Sequence, residues 1–283
     1  MITVKIMGGL GNQMFQYALA RKLEAIGKKV QLDTSYYDEI PKGDTQRNKW
    51  TDQFHHRFQE VDISSKSGEN IKRLAARIRG KEYDIVEKSP NYSPEVLEIH
   101  SGYLIGYWQT EKYFFDVAEL LKKDFEYDVE SFSDMQERLY KKVKNEKNTI
   151  AVHIRRGDYL NTENSGIFGN ICTREYYRNA LTYMSERVQD SKIFVFTDTP
   201  EDVKEILPED SRYEVLSNGL NDEWFELFLM SQCENNIIAN SSFSWWGAWM
   251  NAHPNKIVIA PPRWTNQNNC QDIYCSDWIR MGR

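Results

Sequence analysis

The segment His153-Ile154-Arg155-Arg156-Gly157-Asp158-Tyr159 sets two guanidinium groups, a glycine and a carboxylate directly after a short apolar run. Such a segment is suited to holding an anion. Each guanidinium is permanently charged and presents a planar fork of donors, and glycine lets the backbone come close to a ligand. Asp158 stands where a carboxylate either orients the arginines or takes a proton. Three other groups bear on the same chemistry. In Gly8-Gly9-Leu10-Gly11-Asn12-Gln13 a glycine turn carries two amide side chains that can bond sugar hydroxyls or phosphate oxygens. It is neither a Walker loop, which needs Lys followed by Ser or Thr, nor GxGxxG, which needs another glycine. Asn240-Ser241-Ser242-Phe243 follows an apolar run and opens a helical pattern, so its hydroxyls either cap that helix or join its free amides in an anion site. Asp198 closes the run 193–197, as a helix cap or as an acceptor for a base or ribose. Two helix starts and an arginine pair, each after a strand, read together as a diphosphate site.

The elements that must position these groups follow from hydrophobic periodicity. Residues 2–6 read as a strand and 12–26 as a helix, with Phe15, Leu19, Leu23 and Ile26 on one stripe; 29–33 read as the next strand. Residues 41–94 are irregular and polar, and loops with short helices are expected there. From 149 onward strands and helices alternate: strands at 149–154, 192–197, 213–216, 236–239 and 256–260, and helices at 173–187, 200–207, 222–232 and 243–251. That order predicts a parallel sheet covered on both faces, with ligands beyond the carboxyl ends of its strands. The lysine-rich stretch 141–147 is the expected domain boundary, dividing the chain into 1–147 and 148–283. Trp245, Trp246 and Trp249 have helical spacing and read as core.

With 283 residues and a net charge of −6, the chain has room for two α/β domains and no general affinity for nucleic acid. No apolar stretch reaches 18 residues and no signal-peptide core follows Met1, so a soluble cytoplasmic protein is expected. Cys172, Cys233, Cys270 and Cys275 lack zinc-site or framework spacing and read as reduced thiols; His55 and His56 lack a third metal ligand. The basic stretch 71–81 reads as a solvated helix face, with peripheral contact to an anionic membrane or a lipid-linked acceptor as the alternative.

Four blocks resemble the α-1,2-fucosyltransferases of glycosyltransferase family 11: Gly8 to Ala18, Gly106-Tyr107-Trp108-Gln109-Thr110-Glu111-Lys112-Tyr113-Phe114, 153–159, and Asn240 to Trp249. The resemblance implies a GT-B-like α/β fold, with two Rossmann-like domains facing a cleft, 1–147 on the acceptor side and 148–283 binding GDP-fucose. It implies that Arg155 meets the β-phosphate side of GDP and that His153 and Asp198 lie near guanosine. Ser241, Ser242 and Phe243 would lie near the phosphates and base, Asn12 would reach in from the first domain, and Trp108 and Gln109 would serve the acceptor. The expected partners are GDP-fucose as donor and a galactose-terminated oligosaccharide or lipid-linked glycan as acceptor, with no cofactor and no metal. The reaction would be inverting, with Arg155 stabilising the leaving group. Asp158 and Glu163 are the candidate bases beside an unassisted route. Rival readings are another fucosyl linkage, another nucleotide sugar, and an adhesion module displaying Arg156-Gly157-Asp158.

Overall fold

The computed structural model describes residues 1–42, 44–61, 83–160, 162–207, 210, 212–216 and 222–282. The basic stretch 71–81, read above as a helix face, lies outside the described residues, as do the side chains of Asp158 and Glu163. Two compact units divide the chain: Met1–Glu126 with Gln271–Ile273, and Tyr127–Cys270 with Tyr274–Arg283. Each contains one parallel sheet.

In the first unit the strands β1 (Ile2–Lys5), β2 (Val30–Asp33), β3 (Glu60–Val61), β4 (Asp84–Val86) and β5 (Gly102–Ile105) assemble in the order β3-β2-β1-β5-β4. Every pair is parallel. The irregular reading of 41–94 is corrected by β3 and β4, strands too short to show a period of two. The helix Leu10–Ala25 is buried round most of its circumference, including Gln13 and Gln16. Buried amides need partners, and both have them. Gln13 Nε2 donates to the carbonyls of Gly8 (3.0 Å) and Asn48 (2.9 Å) and its Oε1 accepts from Trp50 N, while Gln16 ties Met7 N to the Gly106 carbonyl.

In the second unit β6 (Thr149–Ile154), β7 (Lys192–Thr197), β8 (Tyr213–Val215), β9 (Asn235–Ile237), β10 (Val258–Ala260) and β11 (Ile279–Arg280) run parallel in the order β11-β10-β9-β6-β7-β8. Alternation along the strands feeds two cores. Ile150, Val152, Ile154, Ile193 and Val195 pack with Tyr176, Tyr177 and Met184 of helix Arg174–Ser185; Ala151, Phe194 and Phe196 pack with Phe225, Leu229 and Met230 of helix Glu223–Gln232. The sheet is therefore covered on both faces, as the β-branched, wholly buried β6 requires. The helix starts expected at Thr173 and Asp222 are real caps: their side chains accept from the amides of Tyr176 and Phe225.

The boundary lies at Glu126/Tyr127 rather than 147/148. Helix Asp134–Asn145, closed at its start by a Ser133–Gln136 capping box, buries Val143 in the second unit's core, so the lysine-rich stretch is a helix face and not a linker. Trp245, Trp246 and Trp249 pack against one another in the core, joined by Trp278. All four cysteines are free thiols. Among the described residues no helix is long and apolar enough to cross a membrane.

Candidate nucleotide-sugar site

In the second sheet the chain runs from β6 to β7 and β8 on one side, then returns to lay β9, β10 and β11 on the other. The reversal falls between β6 and β9. Open parallel sheets bind ligands outside the strand ends at this point, because the connecting segments there diverge and leave a crevice. Arg155 follows β6, and Asn240-Ser241 follow β9.

Asp198, at the end of β7, organises the arginine segment. Its carboxylate accepts from the Arg156 and Gly157 amides, each at 3.1 Å, and pairs with Arg155 Nη1 at 3.1 Å. Asp198 caps no helix; the short turn Pro200–Asp202 begins after Thr199. Gly157 is required by this closeness, since a Cβ there would stand 2.6 Å from Asp198 Oδ2. Arg156 turns to Asp202 (3.5 Å) and Glu205 (3.7 Å), an ion-pair support on the flank. Arg155 lies 5.9 Å from the centre of the Tyr159 ring, and the Tyr159 hydroxyl donates to the Asn240 carbonyl at 2.9 Å, linking the β6 and β9 ends.

His153 is 3% exposed, with its ring 5.4 Å from that of Phe243. Burial, and after it the nearby Arg155 charge, push its pKa down to about 3, although the Asp198 carboxylate opposes the shift. The ring is thus neutral at physiological pH, and its Nδ1 is buried with no hydrogen-bond partner. An orphaned ring nitrogen is unfavourable unless a ligand or water meets it. Ser241 occupies the N-cap position of helix Ser242–Met250 without a side-chain cap bond, so its hydroxyl is not committed to capping. Arg155, His153, Asp198, Ser241, Ser242 and Phe243 therefore gather on adjacent strand ends of one sheet.

Sequence reasoning missed Glu226. It is the one acid inside the run Trp224-Phe225-Glu226-Leu227-Phe228, and that anomaly was its available signal. Burial, followed by the fields of Glu223, Asp222 and Asp198, pushes its carboxyl up to about 8. The folded chain then holds a proton there that the unfolded chain releases above the ordinary carboxylate range, so this group's contribution to stability declines as pH rises from about 4.5 to about 8. Glu226→Gln, which imitates the protonated acid, should raise Tm by a few degrees at pH 8 and leave it near wild type at pH 5. Equal shifts at the two pH values, followed by circular dichroism, would show that the carboxyl does not titrate in this range.

The first sheet has its own reversal, between β1 and β5. Gly8, at φ +81, turns the chain out of β1, and Asn12 Oδ1 accepts from Gln109 Nε2 at 2.8 Å across the crevice. Gln13, read as a ligand contact alongside Asn12, instead has its amide committed to the Gly8, Asn48 and Trp50 backbone. Glu87 accepts from the amides of Tyr107 (2.7 Å) and Trp108 (2.9 Å). That clamp holds Trp108 at φ 57, a backbone conformation costing an ordinary residue on the order of 1 kcal/mol or more. Trp108, expected to meet an acceptor, is 2% exposed and packs edge-on to Tyr113; the exposed aromatic of the block is its neighbour Tyr107, at 41%. Among the described residues no group of three or more His, Cys, Asp or Glu side chains is arranged to hold a metal ion.

Two α/β units with parallel sheets, each with a glycine or arginine turn at its strand-order reversal, are the components of the GT-B class. The chain belongs to glycosyl transferase family 11, whose sequence model matches residues 1–282. It is 32% identical to the O-antigen biosynthesis glycosyltransferase WbnK of Escherichia coli, over 98% of this chain and 99% of that protein. It is 29% identical to an alpha-1,2-colitosyltransferase of Escherichia coli, over 99% of this chain and 98% of that one. Among solved structures, NodZ alpha-1,6-fucosyltransferase soaked with GDP-fucose is similar over 91% of this chain and 94% of its own, at 11% identity and a TM-score of 0.49.

Proposed function

We propose that this family 11 glycosyltransferase transfers L-fucose from GDP-β-L-fucose to the 2-hydroxyl of a terminal galactose, with inversion and without a metal ion, in the synthesis of a surface glycan. The observation that carries the reading is Arg155 fixed by Asp198 at the strand-order reversal of the second sheet, beside the orphaned Nδ1 of His153. When the bond between fucose and phosphate breaks, negative charge grows on departing GDP. A preorganised guanidinium is then worth more in the transition state than before it, and this difference accelerates the reaction. Arg155 thus supplies the charge that a divalent ion supplies elsewhere. His153 and Phe243 serve the base, Asp198 the ribose or base, and Ser241 and Ser242 the phosphates. Asn12 and Gln109 lie on the acceptor-side unit. Direct attack by the acceptor hydroxyl explains inversion, with Asp158 or Glu163 as the base that takes its proton.

The O-antigen relative supports surface-glycan synthesis, and the colitosyltransferase supports the α-1,2 linkage. The latter also favours a second reading with colitose, which lacks the 3-hydroxyl of fucose, as the transferred sugar. One assay decides among these. The protein is incubated with a β-galactoside and GDP-fucose or GDP-colitose, with and without EDTA, and the product linkage is read by NMR. Efficient transfer of fucose to the galactose 2-position in EDTA is expected. Transfer of colitose alone overturns the donor, and activity lost in EDTA and restored by magnesium overturns metal independence.

A further inference from the structure

The carboxyl-side edge of the first sheet carries a group of tyrosines and charged side chains. Tyr36 and Tyr37 follow β2, and Tyr107 follows β5. The Tyr36 and Tyr37 rings meet edge-on at 5.1 Å, and the Tyr36 hydroxyl donates to Asp44 Oδ2 at 3.0 Å. Tyr37 is anchored differently: its hydroxyl donates to the Gly8 carbonyl at 2.8 Å, placing the ring over the glycine turn. Arg47 comes to the same turn, its Cδ 3.8 Å from where a Cβ on Gly9 would stand. The phenols also sense one another. Tyr107 is raised by shelter and then by the field of Asp44, and Tyr36 by shelter, by its bond to Asp44 and then by Tyr107. Tyrosines that only fill the core of this unit, such as Tyr17 and Tyr113, are 1% exposed, whereas Tyr107 is 41% exposed.

From this arrangement we infer that Tyr36, Tyr107, Asp44 and Arg47 form the subsite for the terminal β-galactose of the acceptor. The inference deepens the proposed fucosyl transfer and rests on it for the identity of the sugar. A pyranose presents C–H groups on its faces and hydroxyls on its rim. The axial 4-hydroxyl of galactose leaves one face of C–H groups uninterrupted, and an exposed tyrosine ring offers an apolar face to cover it with a polar tip at the edge. The Asp44 carboxylate bonded to Tyr36 and the Arg47 guanidinium at the glycine turn accept from and donate to the rim hydroxyls, the pattern of few convergent polar groups on an aromatic surface that orients small ligands.

Saturation-transfer NMR on the full chain with methyl β-D-galactoside tests this directly, with GDP-induced thermal shift as the control for folding. Wild type should bind the galactoside more strongly than methyl β-D-glucoside. Tyr107→Ala and Asp44→Asn should each weaken galactoside binding at least about tenfold while the GDP shift stays at its wild-type value. Absence of galactoside binding by wild type, or variants that keep wild-type affinity, overturns the inference. Wild-type protein that binds galactoside as described yet transfers no fucose overturns the donor reading and leaves this subsite standing.

Discussion

Arg155→Ala should lower turnover with the sugar-nucleotide donor by at least about 100-fold, equivalent to about 3 kcal/mol of lost transition-state stabilisation. The acceptor KM should move little, because the arginine belongs to the second unit's strand-end cluster and, on the proposed mechanism, its charge matters most as the leaving group forms. Arg155→Lys should recover only a small part, since an ammonium cannot be held by Asp198 and face an anion with the same planar fork. Steady-state kinetics on both variants, with GDP binding measured separately, provides the test. Near-wild-type turnover in Arg155→Ala would remove the centre of the proposed mechanism.

Asp198→Ala should have the second-largest effect, on the order of 10- to 100-fold on kcat/KM for the donor. Its carboxylate is the common acceptor for two backbone amides and one guanidinium nitrogen, and bonds to charged groups contribute about 1.5–3 kcal/mol each where they are well formed. Without it the Arg156 and Gly157 amides lose their acceptor, and Arg155 loses the contact that fixes one of its nitrogens. Asp198→Asn keeps one acceptor oxygen and the side-chain shape, so it should fall between wild type and the alanine variant. A donor KM and turnover unchanged in Asp198→Ala would mean that the arginine segment holds its conformation by other contacts.

The sequence showed most clearly the elements whose residues satisfy their own periodicity. β6 and β7 are six-residue strands with apolar centres, and helix Arg174–Ser185 has both a cap and a stripe, so their existence was legible within a residue or two. β5 was not, although it lies beside β1 near the middle of its sheet, because four residues beginning with glycine give no pattern to count. The stretch 141–147 reads as a boundary because Val143 is its one apolar residue, whereas Leu139 and Tyr140, which pack with Val143 on the core and complete the helix Asp134–Asn145, lie just before it. At the site, Arg155 and Asp198 could be named as residues, but not as a pair. Their union depends on β6 and β7 lying side by side in register, Ile154 opposite Thr197. Gln13 misled for the same reason, since its partners Asn48 and Trp50 are far along the chain and only the fold brings them near. Trp108 misled because a clamp by Glu87 turns the ring inward and its neighbour outward.

The first unit is discontinuous: residues Gln271–Ile273 belong to it, and Asp272 accepts from Tyr92 N at 2.9 Å and from Lys112 Nζ at 2.6 Å, while Asn91 Oδ1 accepts from Gln271 N. On the ribosome, domains ordinarily fold as they emerge, amino end first. Here the earlier-translated unit cannot close its last contacts until Tyr127–Cys270 of the other unit has been synthesised and Gln271–Ile273 have emerged. The nascent first unit must wait, incomplete, through synthesis of Tyr127–Cys270, and a nonsense truncation before Gln271 would leave unfinished the unit that is translated earlier.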